Sequence, residues 1–132
     1  MRPKVIIDTN VFLSGLLFGG NPGKILQKWS QHQFILCLSP QLKAEILTKL
    51  HYKFDAPDEF VQFIEDILDI YTAKYLPKHH TTICKDPTDN FLLDLARESK
   101  AAYLVSGDKD VLVLKNHNQT KIISPREFLE TI

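Results

Sequence analysis

Val5, Ile6 and Ile7 form an uninterrupted β-branched run that stops at Asp8, with Thr9 and Asn10 directly behind it. A strand that is apolar on both faces needs cover on both faces. A central strand of a parallel sheet has that cover when helices lie on each side. Asp8 then falls at the strand's carboxyl end, the edge where open α/β sheets bind ligands. Other polar side chains that reach this edge define the candidate site.

The chain alternates between the two periods that make such a sheet. Residues 4–8 read as a strand and 10–18 as a short helix. The run from Gly19 to Gly23, rich in glycine and proline, reads as a loop. A second helix is expected over 24–31, where Trp29 belongs to the core or to a subunit interface. A strand follows over 34–38. Ser39 and Pro40 then supply an N-cap and a first helical residue, and Leu42, Ile46 and Leu50 repeat every four residues to about His51. Glu45 lies about 60° from Leu42 on that helix, at the edge of the buried face.

Residues 57–75 read as one long amphipathic helix whose acids form a solvated face. Residues 77–80, with His79 and His80, read as a connector, and 81–84 as a strand. Asp86 and Pro87 then open a helix that runs to Ser99 and places Asp89 on the core-facing side with Leu92, Leu93 and Ala96. A strand over 102–105 ends in Ser106, Gly107, Asp108, Lys109 and Asp110. A helical turn over 111–115, a turn over 116–119 and a strand over 121–123 come next. Ser124, Pro125 and Glu127 form a capping box that starts the terminal helix. The expected architecture is α/β, three layers (α/β/α) around a central, mostly parallel sheet.

Composition narrows the functions. With 132 residues and 44% hydrophobic content, one domain over 1–132 is expected. The 16 basic and 16 acidic residues cancel, so no global field draws in nucleic acid. No apolar run is long enough to span a bilayer, and no signal peptide is expected at the start. Cys37 and Cys84 lack metal-knuckle spacing and fall in expected strands, which fits buried reduced thiols and a cytoplasmic protein.

Asp8, the pair Asp86 and Asp89, and the pair Asp108 and Asp110 each follow an expected strand, and Glu45 comes from the helix after the second one. Each has an ordinary structural use. Asp8 and Asp86 can cap helices, Asp108 can hold a turn, and Glu45 can pair with Lys49 one helical turn on. Their shared edge carries a cost that separate caps do not. Two carboxylates about 4 Å apart repel by roughly 4 kcal/mol at an effective dielectric of 20. A fold's whole stability is about 5–15 kcal/mol. Such a cluster must take up protons, spread out or hold a cation. Oxygen ligands select a hard ion, Mg²⁺ or Mn²⁺, and ions held that way suit phosphodiester hydrolysis.

Asp8-Thr9-Asn10-Val11, Glu45, Asp89 opening a helix, and Ser106-Gly107-Asp108-Lys109-Asp110 resemble, in that order, the motifs of the PIN domain. The similarity covers essentially the whole chain. It is closest to the group that serves as toxins of bacterial toxin–antitoxin pairs, where the third motif also reads Asp-Pro-x-Asp-Asn. The resemblance implies a metal-dependent ribonuclease acting on single-stranded RNA. Asp8, Glu45, Asp89 and Asp108 would be the catalytic, metal-holding quartet. Asn10 and Ser106 would be polar supports, and Asp86 and Asp110 auxiliary acids. It also implies self-association, as a dimer or higher oligomer, and inhibition by a cognate antitoxin. With no basic cluster in the sequence, RNA affinity would come from dispersed groups such as Lys24, Lys28, Lys109, Lys115 and Arg126, or from dimerisation.

Three other readings compete. A non-catalytic PIN-like RNA-binding or assembly module would not need all four acids. A receiver-type phospho-acceptor domain needs an acidic pair after the first strand and a lysine after the last, where this chain has Asp8-Thr9 and Ser124-Pro125. A haloacid-dehalogenase-like phosphatase would want a second aspartate at Asn10.

Overall fold

The computed structural model describes residues 2–132. The strands are β1 (Lys4–Ile7), β2 (Ile35–Leu38), β3 (Ala73–Lys74), β4 (Tyr103–Val105), β5 (Asn116–His117) and β6 (Thr120–Ile123). The helices are α1 (Thr9–Leu17), α2 (Gly20–Ser30), α3 (Pro40–Tyr52), α4 (Asp58–Ile70), α5 (Asn90–Ser99), α6 (Lys109–Leu112) and α7 (Pro125–Thr131). One sheet runs β3-β2-β1-β4-β6-β5, parallel except for β5 against β6. The result is the expected three-layer α/β/α arrangement.

β1 is central because both its faces are buried: Val5, Ile6 and Ile7 are at most 1% exposed. It pairs with β2 through Val5 and Leu36, and with β4 through Ile7 and Val105. The chain leaves β1 toward β2 and β3, then returns to build β4 and β6 on the other side. The strand order therefore reverses beside β1, and a crevice opens between the ends of β1 and β4. Behind the sheet, Phe34 and Tyr103 each meet Phe128 edge to face, at 5.4 and 5.7 Å. Trp29 is half-buried, edge-on to Phe12 at 6.0 Å, and its Nε1 donates to the Tyr71 carbonyl at 3.3 Å.

Five local expectations need correction. Residues 19–23 are not a loop throughout. Gly19 and Gly20 take φ of 80° and 66° to turn the chain, and α2 begins at Gly20. Pro22 is tolerated because first-turn N–H groups have no helical partner. The long helix expected to Tyr75 ends at Ile70, where the chain turns into β3 and the Tyr75 N–H donates to the Leu38 carbonyl at 2.9 Å. Residues 116–119 hold more than a turn, since Asn116 and His117 pair with β6. The helical turn expected over 111–115 starts earlier, at Lys109, because Asp108 caps it.

The fifth correction bears on the site. Residues 81–84 do not join the sheet. α5 instead presents Asn90, Asp94 and Glu98, spaced one turn apart, as acceptors for that segment's backbone. The Cys84 N–H donates to Asn90 Oδ1 at 2.9 Å, the Thr81 N–H to Asp94 Oδ1 at 2.8 Å, and the Lys78 N–H to Glu98 Oε1 at 3.3 Å. This side-chain ladder replaces a strand's hydrogen bonds. It lays the segment along α5 and delivers the loop that carries Asp86 and Asp89. Cys84 is buried and free, as is Cys37.

Candidate active site

Asp8 caps α1. Its Oδ1 accepts the N–H groups of Asn10 and Val11 at 2.8 and 3.5 Å. Its Oδ2 accepts the Ser106 hydroxyl at 2.6 Å, and Ser106 Oγ in turn accepts the Asp108 N–H at 3.0 Å. Asp108 Oδ1 accepts the Asp110 N–H at 2.9 Å as the cap of α6. Asp86 Oδ1 accepts the Thr88 N–H and hydroxyl at 3.0 and 2.8 Å, capping the 3₁₀ turn of Pro87–Asp89. Glu45 pairs with Lys49 at 3.4 Å. Every ordinary use foreseen for these acids is realised.

The same acids also converge. Asp8, Glu45, Asp86, Asp89 and Asp108 line one polar hollow of about 170 Å³ beyond the carboxyl ends of β1 and β4. Asn10 lines it too. Two of the expected supporting residues do not. Ser106 is fully buried behind Asp8, and Asp110 is held on α6 by its backbone. Asp86 and Asp89 reach the hollow from the loop and the 3₁₀ turn rather than from a strand end.

Lys49 is a site group beyond the expected set. Its Nζ lies 3.4 Å from Glu45 Oε1 and donates to Asn10 Oδ1 at 3.4 Å. It therefore brings a cation into the acidic hollow. Its four-residue spacing from Glu45 signals the pair but not the link to Asn10, which joins α3 to α1.

The electrostatics follow from crowding. Burial pushes the Asp8 carboxyl up, opposed by the hydrogen bonds from Ser106, Asn10 and Val11, with the Asp108 charge adding to the rise. Asp89 is pushed up to about 7, first by burial, then by a hydrogen bond with Asp108 and by the charges of Asp108, Asp86 and Asp8. That hydrogen bond needs a proton. With both groups ionised there is no donor between them, and Asp89 Oδ2 is left buried without a partner. Asp86 moves the other way, because the Thr88 hydroxyl and N–H stabilise its charge. The Cys84 thiol, raised mainly by burial, also feels the charges of Asp89, Asp108, Asp86 and Asp110.

The donor set suits a hard divalent ion. Its potential donors are carboxylate oxygens, one of them buried and unpartnered, and burial and neighbouring charge hold the Asp89 carboxyl up. Among the described residues, no three acidic, histidine or cysteine side chains already stand in a finished metal-binding arrangement. No described helix is long and apolar enough to cross a membrane.

Comparison with known proteins identifies the family. Over 98% of its length the chain is similar to Uncharacterized protein MJ1680 of Methanocaldococcus jannaschii, 33% identical over 147 aligned positions that cover 92% of that protein. A family model described as PIN domain matches residues 4–110, from the start of β1 into α6, and takes in Asp8, Glu45, Asp89 and Asp108. The chain belongs to the PIN domain family, whose fold is of the nuclease type.

Proposed function

We propose that the chain is a Mg²⁺- or Mn²⁺-dependent endoribonuclease that hydrolyses phosphodiester bonds of single-stranded RNA. The reading rests on one observation above the others: four acids from separate elements share one hollow, and one of their buried oxygens has no partner. Asp8, Glu45, Asp89 and Asp108 would hold the ion. A divalent ion so held lowers the pKa of a bound water and offsets negative charge on the phosphoryl group. The protein's own groups prepare this place. Ser106 orients Asp8 and spaces it from Asp108, while Lys49, linked to Asn10, pairs with Glu45 at the rim where the ion would take its place.

The finer biology belongs to the same reading: a cytoplasmic toxin that self-associates and is blocked by a cognate antitoxin. The buried free thiols suit a reducing compartment. Phe63, Ile70 and Tyr71, all more than half exposed on and just after α4, offer apolar surface for a protein partner.

One observation favours a second reading, a non-catalytic binding module. Each acid except Asp89 already has a structural partner. RNA cleavage separates the two. Labelled single-stranded RNA is incubated with the protein and Mn²⁺, with EDTA and Asp8→Asn as controls. Asparagine caps a helix about as well as aspartate, so the fold is kept. The nuclease reading expects cleavage by the wild type alone, abolished by EDTA. Equal cleavage by wild type and variant, or none by either, removes it.

A further inference from the structure

The acidic hollow adjoins a further concavity. It shares Asp8, Asn10 and Asp108 with a shallower concavity of about 400 Å³ that extends to Pro22 and Pro125. The chain neighbours of those prolines, Asn21 and Arg126, line a third concavity of about 570 Å³ between α2 and α7. Lys24 and Lys28, one helical turn apart on α2, line it together with Arg126 of α7 and the amides of Gln27 and Gln31. The only acid in that lining is Glu130, 3.3 Å from Arg126 in an exposed pair.

Resting on the nuclease reading, we propose that this groove is the path of the RNA strand, with Lys24, Lys28 and Arg126 as its phosphate-binding cations. A polyanion is repelled by the acids at the hollow, and a chain of zero net charge supplies no long-range attraction. The strand therefore needs cations beyond the acids but along the same surface. The α2/α7 concavity meets both conditions. An exposed Arg–Glu pair is weak, so a phosphate readily takes Glu130's place on the guanidinium fork. The amides add donors for ribose and base edges.

The alternatives are poorer in free charge. The concavity along α3 offers a single cation, Lys49. The groove near β3 holds Lys43 and Lys74, but Lys43 is bound by Asp69 and Glu65 at 2.6 and 3.2 Å. Of the five basic residues singled out in the sequence, Lys24, Lys28 and Arg126 are brought together, while Lys109 and Lys115 lie on and after α6.

The test is binding of a single-stranded RNA of about 12 nucleotides, within the span such grooves cover, followed by fluorescence anisotropy in EDTA over a salt series. The triple variant Lys24→Gln/Lys28→Gln/Arg126→Gln is expected to bind roughly tenfold more weakly, with a log–log salt slope shallower by about 2, near 0.7 per lost contact. A control variant, Lys78→Gln/Lys121→Gln, removes exposed charge away from the groove and is expected to bind like wild type. If the triple variant folds poorly by circular dichroism, Lys24→Gln alone, on the exposed face of α2, is expected to flatten the slope by about 0.7. Unchanged affinity and slope in the groove variants, or equal losses in the control, overturn the proposal. Mn²⁺-dependent hydrolysis of bis(4-nitrophenyl) phosphate by the wild type, a diester too small to reach α2, reads the nuclease chemistry separately.

Discussion

Ser106 Oγ donates to Asp8 Oδ2 at 2.6 Å across 98 residues of sequence. Through the same oxygen it accepts the Asp108 N–H at 3.0 Å, so one buried hydroxyl positions two acids from neighbouring strand ends. Ser106→Ala leaves both a carboxylate oxygen and an N–H without this partner. The expected loss is about 1–3 kcal/mol of stability, the cost of an unsatisfied buried polar group. RNA cleavage is expected to fall further than stability at temperatures where the variant is fully folded. Thermal melting and a cleavage time course on the same sample check this. Full activity in a destabilised variant would make Ser106 a purely structural residue.

Lys49 competes with a metal ion for Glu45. Lys49→Met removes the competitor and only a partly exposed ion pair, so stability should change by about 1 kcal/mol or less. Mn²⁺ affinity by calorimetry is expected to rise severalfold. A weaker affinity would show that Lys49 orders Glu45 for the metal rather than blocking it.

Asp89 sets a pH dependence of known sign. Its folded carboxyl is held up to about 7, while an unfolded aspartate titrates near 3.9. The native state therefore binds the extra proton between these values. Asp89's contribution to metal-free stability is fully present below about pH 4 and is lost as pH rises through about 7. Asp8 is raised too and acts in the same sense. Asp89→Asn, neutral at every pH, is expected to melt higher than wild type at pH 8 without metal, and to lose the stabilisation by Mn²⁺. In the wild type, that stabilisation should shrink as pH falls from 8 to 5, because the ion must displace the proton. Melting curves at the two pH values check both statements, and an Asp89→Asn variant less stable than wild type at pH 8 would contradict the first.

Asp94 is the middle rung of the ladder on α5. Asp94→Ala leaves the Thr81 N–H without its acceptor, and a cost of about 1–3 kcal/mol is expected. The segment around 78–84 should then become more open to trypsin at Lys78 and Lys85. Limited proteolysis followed by mass spectrometry reads this directly. Cleavage no faster than in the wild type would mean that Asn90 and Glu98 hold the segment without Asp94.

This ladder also marks where sequence reasoning stops. β1 and its terminal Asp8 were legible because three β-branched residues in a row are hard to satisfy outside a buried strand. The starts of α3 and α7 were legible because Ser39-Pro40 and Ser124-Pro125-Arg126-Glu127 carry their capping chemistry locally, and the capping box is present. Residues 81–84 have the composition of a strand, but their hydrogen-bond acceptors are the side chains of Asn90, Asp94 and Glu98, which strand propensity does not register. β3 is two residues long and follows directly on a strong helical pattern, so only its pairing with Cys37 and Leu38 reveals it. The acids could be placed at one edge from their positions after elements. Two finer features depended on tertiary placement: the link from Lys49 to Asn10, and the gathering of Lys24, Lys28 and Arg126 between α2 and α7.

The central claim is that Asp8, Glu45, Asp89 and Asp108 surround a divalent ion. Anomalous diffraction from crystals of the full chain soaked in Mn²⁺ tests it most directly. The account predicts a manganese peak inside the hollow, bonded to oxygens of Asp8, Asp89 and Asp108, with Glu45 turned away from Lys49 toward the ion. Manganese found only elsewhere on the surface, with Glu45 still paired to Lys49, would contradict it.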